Sequence, residues 1–104
     1  MNNGIDLTKL AVGIKIQART EFSLYEIEKL PGDKYLIKGG IIFVEPTETW
    51  IRGSSYGSYY KPDWLEIGMQ IEAGHPTDVP WVSAIVCGLK IIGPDWEFDL
   101  TSTP

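Results

Sequence analysis

The sequence predicts an all-β domain, a small antiparallel β-barrel, roll or sandwich of six or seven strands. Three observations carry that expectation. Apolar residues alternate with polar ones along Leu10–Arg19 and again along Leu65–Ala73. Turn-forming Gly, Pro and Asp recur at short intervals between such runs. No stretch carries the 3.6-residue periodicity of a long amphipathic helix.

In Leu10–Arg19, Leu10, Val12, Ile14, Ile16 and Ala18 share one face, which marks a half-buried strand. Leu65, Ile67, Met69, Ile71 and Ala73 do the same. The two runs also resemble each other: LAVGIKIQA at 10–18 and LEIGMQIEA at 65–73 keep Leu, Gly, Ile and Ala at identical spacing, 55 residues apart. Two readings stand. Either the halves are an internal duplication forming a pseudo-symmetric fold, or strands entered through a glycine bend converge on this pattern.

Residues 21–30 (EFSLYEIEKL) admit a helix capped by Ser23 and Glu26, but the turn at Pro31-Gly32-Asp33 favours a hairpin strand. Lys34–Val44 reads as strand, broken by Gly39-Gly40 at a bulge or tight turn. Pro46–Thr49, Arg52–Lys61 and Gly74–Pro80 read as loops from their Pro, Gly and Ser content. Trp81–Ile92 is a long central strand with Ile85, Cys87, Leu89 and Ile91 on its most apolar face. After Gly93-Pro94-Asp95 comes a last strand with Trp96, Phe98 and Leu100 inward and Glu97 and Asp99 outward, then a loose tail at 101–104. Residues 1–104 thus form a single β domain, of a length that buries about two-thirds of its unfolded surface without staples.

The net charge is −5, unevenly spread. Residues 1–38 hold six basic and five acidic side chains, whereas 62–104 hold Lys90 against seven acids. Phosphate backbones are bound by Lys and Arg, so the sequence disfavours nucleic acid as a partner. The acidic half could instead act as a decoy that mimics nucleic acid, or simply keep the domain in solution. No apolar run approaches ~18 residues and no secretory leader is legible. With one cysteine and no internal bridge, the expected location is the reducing cytoplasm, with no membrane association.

Chemistry-bearing motifs are sparse. Cys87 is expected on an apolar face, where a thiol is a poor nucleophile, and His75 sits in a loop. One His and one Cys cannot complete a zinc site. There is no calcium loop, no phosphate-cradling glycine motif and no nucleophile elbow. Glu97 and Asp99 read as solvated charges. No catalytic residue, metal or cofactor is therefore expected, and the chain reads as a non-catalytic module. A carboxylate enzyme or sugar-binding domain built on Asp63 or Glu66 remains the alternative.

The clearest anomaly is aromatic: of twelve aromatic residues, Trp50, Tyr56, Tyr59, Tyr60 and Trp64 fall within residues 50–64, interleaved with Gly and Ser and flanked by Arg52. Tyr and Trp offer large contact area at little rotamer cost, and Ser and Gly offer adaptable hydrogen bonds. Trp50, Arg52, Tyr56, Tyr59, Tyr60 and Trp64 are accordingly the candidate binding residues for a protein partner or a small ligand. The competing role is to plug one end of the fold. The sequence does not fix the oligomeric state.

Overall fold

A computed structural model describes residues 3–100, so the tail expected at 101–104 lies outside the described residues. The chain folds as β1 (Gly4–Asp6), a 3₁₀ turn (Leu7–Lys9), β2 (Lys15–Thr20), β3 (Leu24–Lys29), β4 (Tyr35–Gly39), β5 (Phe43–Thr49), β6 (Ile51–Tyr56), β7 (Tyr59–Pro62), β8 (Trp64–Glu66), β9 (Gln70–Gly74), β10 (Pro80–Ile92) and β11 (Glu97–Leu100). The all-β class holds. Among the described residues eleven strands stand where six or seven were expected, and no closed barrel is found. One large sheet runs β5-β4-β3-β2-β10-β9-β6-β7, with β11 beside β10, while β1 and β8 form a separate two-stranded ribbon. Every pairing is antiparallel.

The extra strands come from segments whose composition suggested loops. Pro46 sits inside β5, which among the described residues pairs only with β4, so its missing N–H can face away from the ladder. Residues 52–61 form the β6–β7 hairpin, closed by Gly57 and Ser58, with Gly57 at a left-handed φ of 60°. Residues 21–30 contain strand β3 rather than a helix.

The near-repeat recurs as geometry. Gly13 and Gly68 sit at φ 93° and 94°. Gly13 N–H donates to the Lys29 carbonyl at 2.8 Å, Ile14 N–H to Ala11 at 3.2 Å, and Lys29 N–H returns to Ile14 at 2.9 Å. Fifty-five residues on, Gly68 N–H donates to Val86 at 2.8 Å, Met69 N–H to Glu66 at 3.2 Å, and Val86 N–H returns to Met69 at 2.9 Å. The correspondence continues past the strands. Thr20 Oγ1 accepts from Phe22 N–H at 3.2 Å, and His75 Nδ1 accepts from Thr77 N–H at 3.1 Å, each side chain closing the turn it opens. The two turns therefore match in backbone geometry. They also shorten both strands, which begin only after the glycine bend; Val12, expected inside, is 60% exposed.

The core gathers Ile16 and Ala18 from β2, Tyr25 and Ile27 from β3, Ile37, Phe43, Leu65, Ile71, Val86 and Leu89. Trp81 packs edge-on against Tyr25 and Phe43, with ring centroids 5.4 and 4.9 Å away. β10 departs from simple alternation, because its register shifts between Val82 and Ile85 against β9 and between Val86 and Gly88 against β2. Each irregularity reverses which side chains face in. Hence Val86 and Leu89 are buried, Ile85 is exposed, and Cys87, expected inside, is exposed as well. On β11 only Leu100 is buried; Trp96 and Phe98, also expected inside, face solvent.

Candidate functional site

The aromatic segment folds as β6, β7 and β8, and these strands distribute the six candidates. Tyr56 stands opposite Tyr59, and Ser55 opposite Tyr60. Since consecutive strand residues point to opposite faces, Tyr56 and Tyr59 share one face near the turn and Tyr60 takes the other. All four residues of β7 are exposed, Tyr59 at 74% more than Tyr60. Gly53 lies where β6 crosses β7 so closely that a Cβ would collide with the Lys61 carbonyl. Its register irregularity against β9 turns the strand there.

Tyr60, Arg52 and Trp50 form a connected run. The Tyr60 hydroxyl donates to the Arg52 carbonyl at 3.2 Å, and the Arg52 guanidinium lies 5.3 Å from the centre of the Trp50 ring. Partial desolvation holds the Tyr60 hydroxyl above its ordinary pKa; the Arg52 cation opposes this, and Glu72 and Asp63 add to it. Trp50 is half-buried, its carbonyl accepting from Gly74 N–H at 3.0 Å and its indole lying 2.8 Å from where a Cβ of Gly74 would be. Trp50 therefore anchors the junction of β5, β6 and β9 while offering Arg52 a ring to rest on.

Trp64 belongs elsewhere. It pairs with Asp6 in the β1–β8 ribbon, and its indole N–H donates to Glu66 Oε1 at 2.8 Å. The same oxygen accepts from Lys61 Nζ at 2.6 Å. The Lys61 hydrogen bond does most to lower the Glu66 pKa; burial, the next largest effect, raises it, and the Trp64 donor and the Lys61 charge lower it further. A carboxylate held ionised this way does not donate protons, which weighs against Glu66 as an acid catalyst. The six residues thus fall into three groups: a tyrosine pair at the hairpin end, a Trp50–Arg52–Tyr60 run, and Trp64 in the ribbon.

The acids of 62–104 are likewise dispersed. Asp78 lies in the turn before the 13-residue β10 and Asp95 in the turn after it, at opposite ends of that strand. Among the described residues no three His, Cys, Asp or Glu side chains group as metal ligands, and no helix is long and apolar enough to cross a membrane.

Sequence reasoning missed a second aromatic region. Trp64 and Trp96 wall a cleft floored by Ile5, Leu10, Ile14 and Ile91. Alternation along 96–100 assigned Trp96 to the core, and only the sheet's actual extent leaves it outside. Comparison with protein-family models, curated proteins and solved structures yields no significant match.

Proposed function

We propose that the chain is a non-catalytic binding protein of the cytoplasm that engages a protein partner through the β6–β7 hairpin. The observation that carries this reading is the Tyr56–Tyr59 pair: two tyrosines stand opposite each other in the ladder, 52% and 74% exposed, on a hairpin whose outer strand is a sheet edge among the described residues. Exposed tyrosines at an edge combine anchor area with a backbone open to pairing. Tyr60 lies on the opposite face of the same hairpin, its hydroxyl bonded to the Arg52 carbonyl. An exposed, unbridged Cys87 suits a reducing compartment.

The test is affinity capture from the producing organism with the wild-type chain and the Tyr56→Ala/Tyr59→Ala variant as parallel baits. The reading expects a protein retained by the first and lost with the second, at melting temperatures within about 2 °C of each other. Equal capture by both baits, or a variant that melts far lower, assigns the tyrosines to structure.

A further inference from the structure

β11 is where sequence pattern and exposure part company. Trp96-Glu97-Phe98-Asp99-Leu100 alternates like a strand with one covered face, yet Trp96 and Phe98 are 49% and 62% exposed. Among the described residues β11 pairs with β10 alone, which leaves its other flank open to a further strand.

Two features beside that flank are preset. Phe98 stands opposite Ile91, and Ile91 and Trp96 line the cleft of about 640 Å³ that Trp64 closes on its far side. Both indoles lie across glycines, Trp64 over Gly4 and Trp96 over Gly93, so closely that a Cβ at either position would overlap the ring. The Trp64 indole is also held by its hydrogen bond to Glu66, and a ring held before binding loses little freedom on binding. On the other face of β11, Glu97 and Asp99 stand at the outer margin, 3.7 and 3.9 Å from the Lys90 ammonium. Arg19 lines the same pocket as Lys90 and Asp99, so the cations lie on the β10 and β2 side and the two carboxylates border the open flank.

A second copy of this chain does not suit the flank. Antiparallel β11–β11 pairing sets carboxylates against carboxylates, which destabilises a ladder. The β5 edge brings Glu45 and Glu48, and each copy carries a net charge of −5.

We propose that β11 and the Trp64–Trp96 cleft bind an extended basic peptide segment of a partner protein, in which apolar residues alternate with Lys or Arg. The segment joins the open flank of β11 as an added strand, with backbone hydrogen bonds supplying affinity. Its apolar side chains cover Phe98 and enter the cleft beside Trp96. Its cations meet Glu97 and Asp99. This surface is separate from the β6–β7 hairpin, and neither proposal rests on the other.

The probe is a fluorescently labelled nonapeptide alternating lysine with valine and phenylalanine, followed by fluorescence anisotropy. Its comparators are a scrambled version with contiguous lysines and a version with glutamate in place of lysine. The proposal expects the alternating peptide to bind about tenfold or more tighter than either comparator. Glu97→Lys/Asp99→Lys should reverse the preference between the lysine and glutamate peptides. Phe98→Ser should weaken binding at an unchanged melting temperature, and the bound peptide should slow amide exchange within residues 97–99. Tyr59→Ala should leave binding unchanged, which separates this site from the hairpin. Equal binding of the scrambled peptide, indifference to charge reversal, or no binding by the wild-type chain overturns the proposal.

Discussion

Ser54 is hydrogen-bonded to both ends of the Trp64–Glu66 strand: its hydroxyl donates to the Trp64 carbonyl at 2.7 Å and accepts from Glu66 N–H at 3.2 Å. Ser54 is 1% exposed, so one buried oxygen ties β6 of the large sheet to the β1–β8 ribbon. Ser54→Ala should leave two backbone groups short of a partner and cost about 1–3 kcal/mol. Urea unfolding should show a lower midpoint at an unchanged slope.

The two bend glycines make a matched experiment. A Cβ at Gly13 or Gly68 would meet nothing within 4 Å, so replacement by alanine tests the backbone alone. Gly13→Ala and Gly68→Ala should each cost about 1–2 kcal/mol for the left-handed φ, and their effects should add in the double variant. At Gly39 a Cβ would strike the Leu24 carbonyl, and Gly39→Ala should be distinctly worse than either.

Exposure separates aromatic residues of similar size. Phe43 is fully buried against Trp81, and Phe43→Ala should cost about 3–5 kcal/mol. Tyr59→Ala removes an exposed ring, and calorimetry should place its effect within about 0.5 kcal/mol of zero.

Glu66 sets an acid limb. Its folded pKa lies below the ordinary 4.5, so the unfolded chain binds the proton more readily. The stabilisation is therefore present above that ordinary value and is lost as pH falls through the lower folded one. Urea midpoints measured from about pH 6 down to pH 3 should fall less steeply for Glu66→Gln than for the wild-type chain.

Cys87 gives a direct test of the irregularities in β10. The thiol should react stoichiometrically with a disulfide reagent in native buffer, without added denaturant. Labelling that requires unfolding would place the sulfur inside and restore unbroken alternation along the strand.

Much of the architecture was legible because it rests on short-range pattern. Alternation marked β2 and β9, the turn at residues 31–33 favoured β3 as a strand, a long apolar run marked β10, and the paired Gly13 and Gly68 were visible as a repeat before their shared φ was known. Three things were not legible, each for a physical reason. The Gly/Ser content of 52–58 mimics a loop, yet the close crossing at Gly53 and the tight turn at Gly57 are what let a hairpin form there. A strand irregularity has no fixed residue signature, so Cys87 and Ile85 were assigned to the wrong side. Exposure also depends on where a sheet ends, and periodicity along Trp96–Leu100 carries no information about that. For the site, composition marked Tyr56 and Tyr59, but sequence proximity joined Trp64 to them although strand pairing sends it to another sheet.

Proline placement bears on how such a chain behaves when crowded with its own kind. β5 carries Pro46 and β7 ends in Pro62, so each terminal strand of the large sheet lacks one backbone donor. Ribbon growth by strand addition at the sheet margins, the route to fibres, is interrupted at both. β11 contains no such break, and concentrated solutions should stay clear of fibrils only while its carboxylates remain charged.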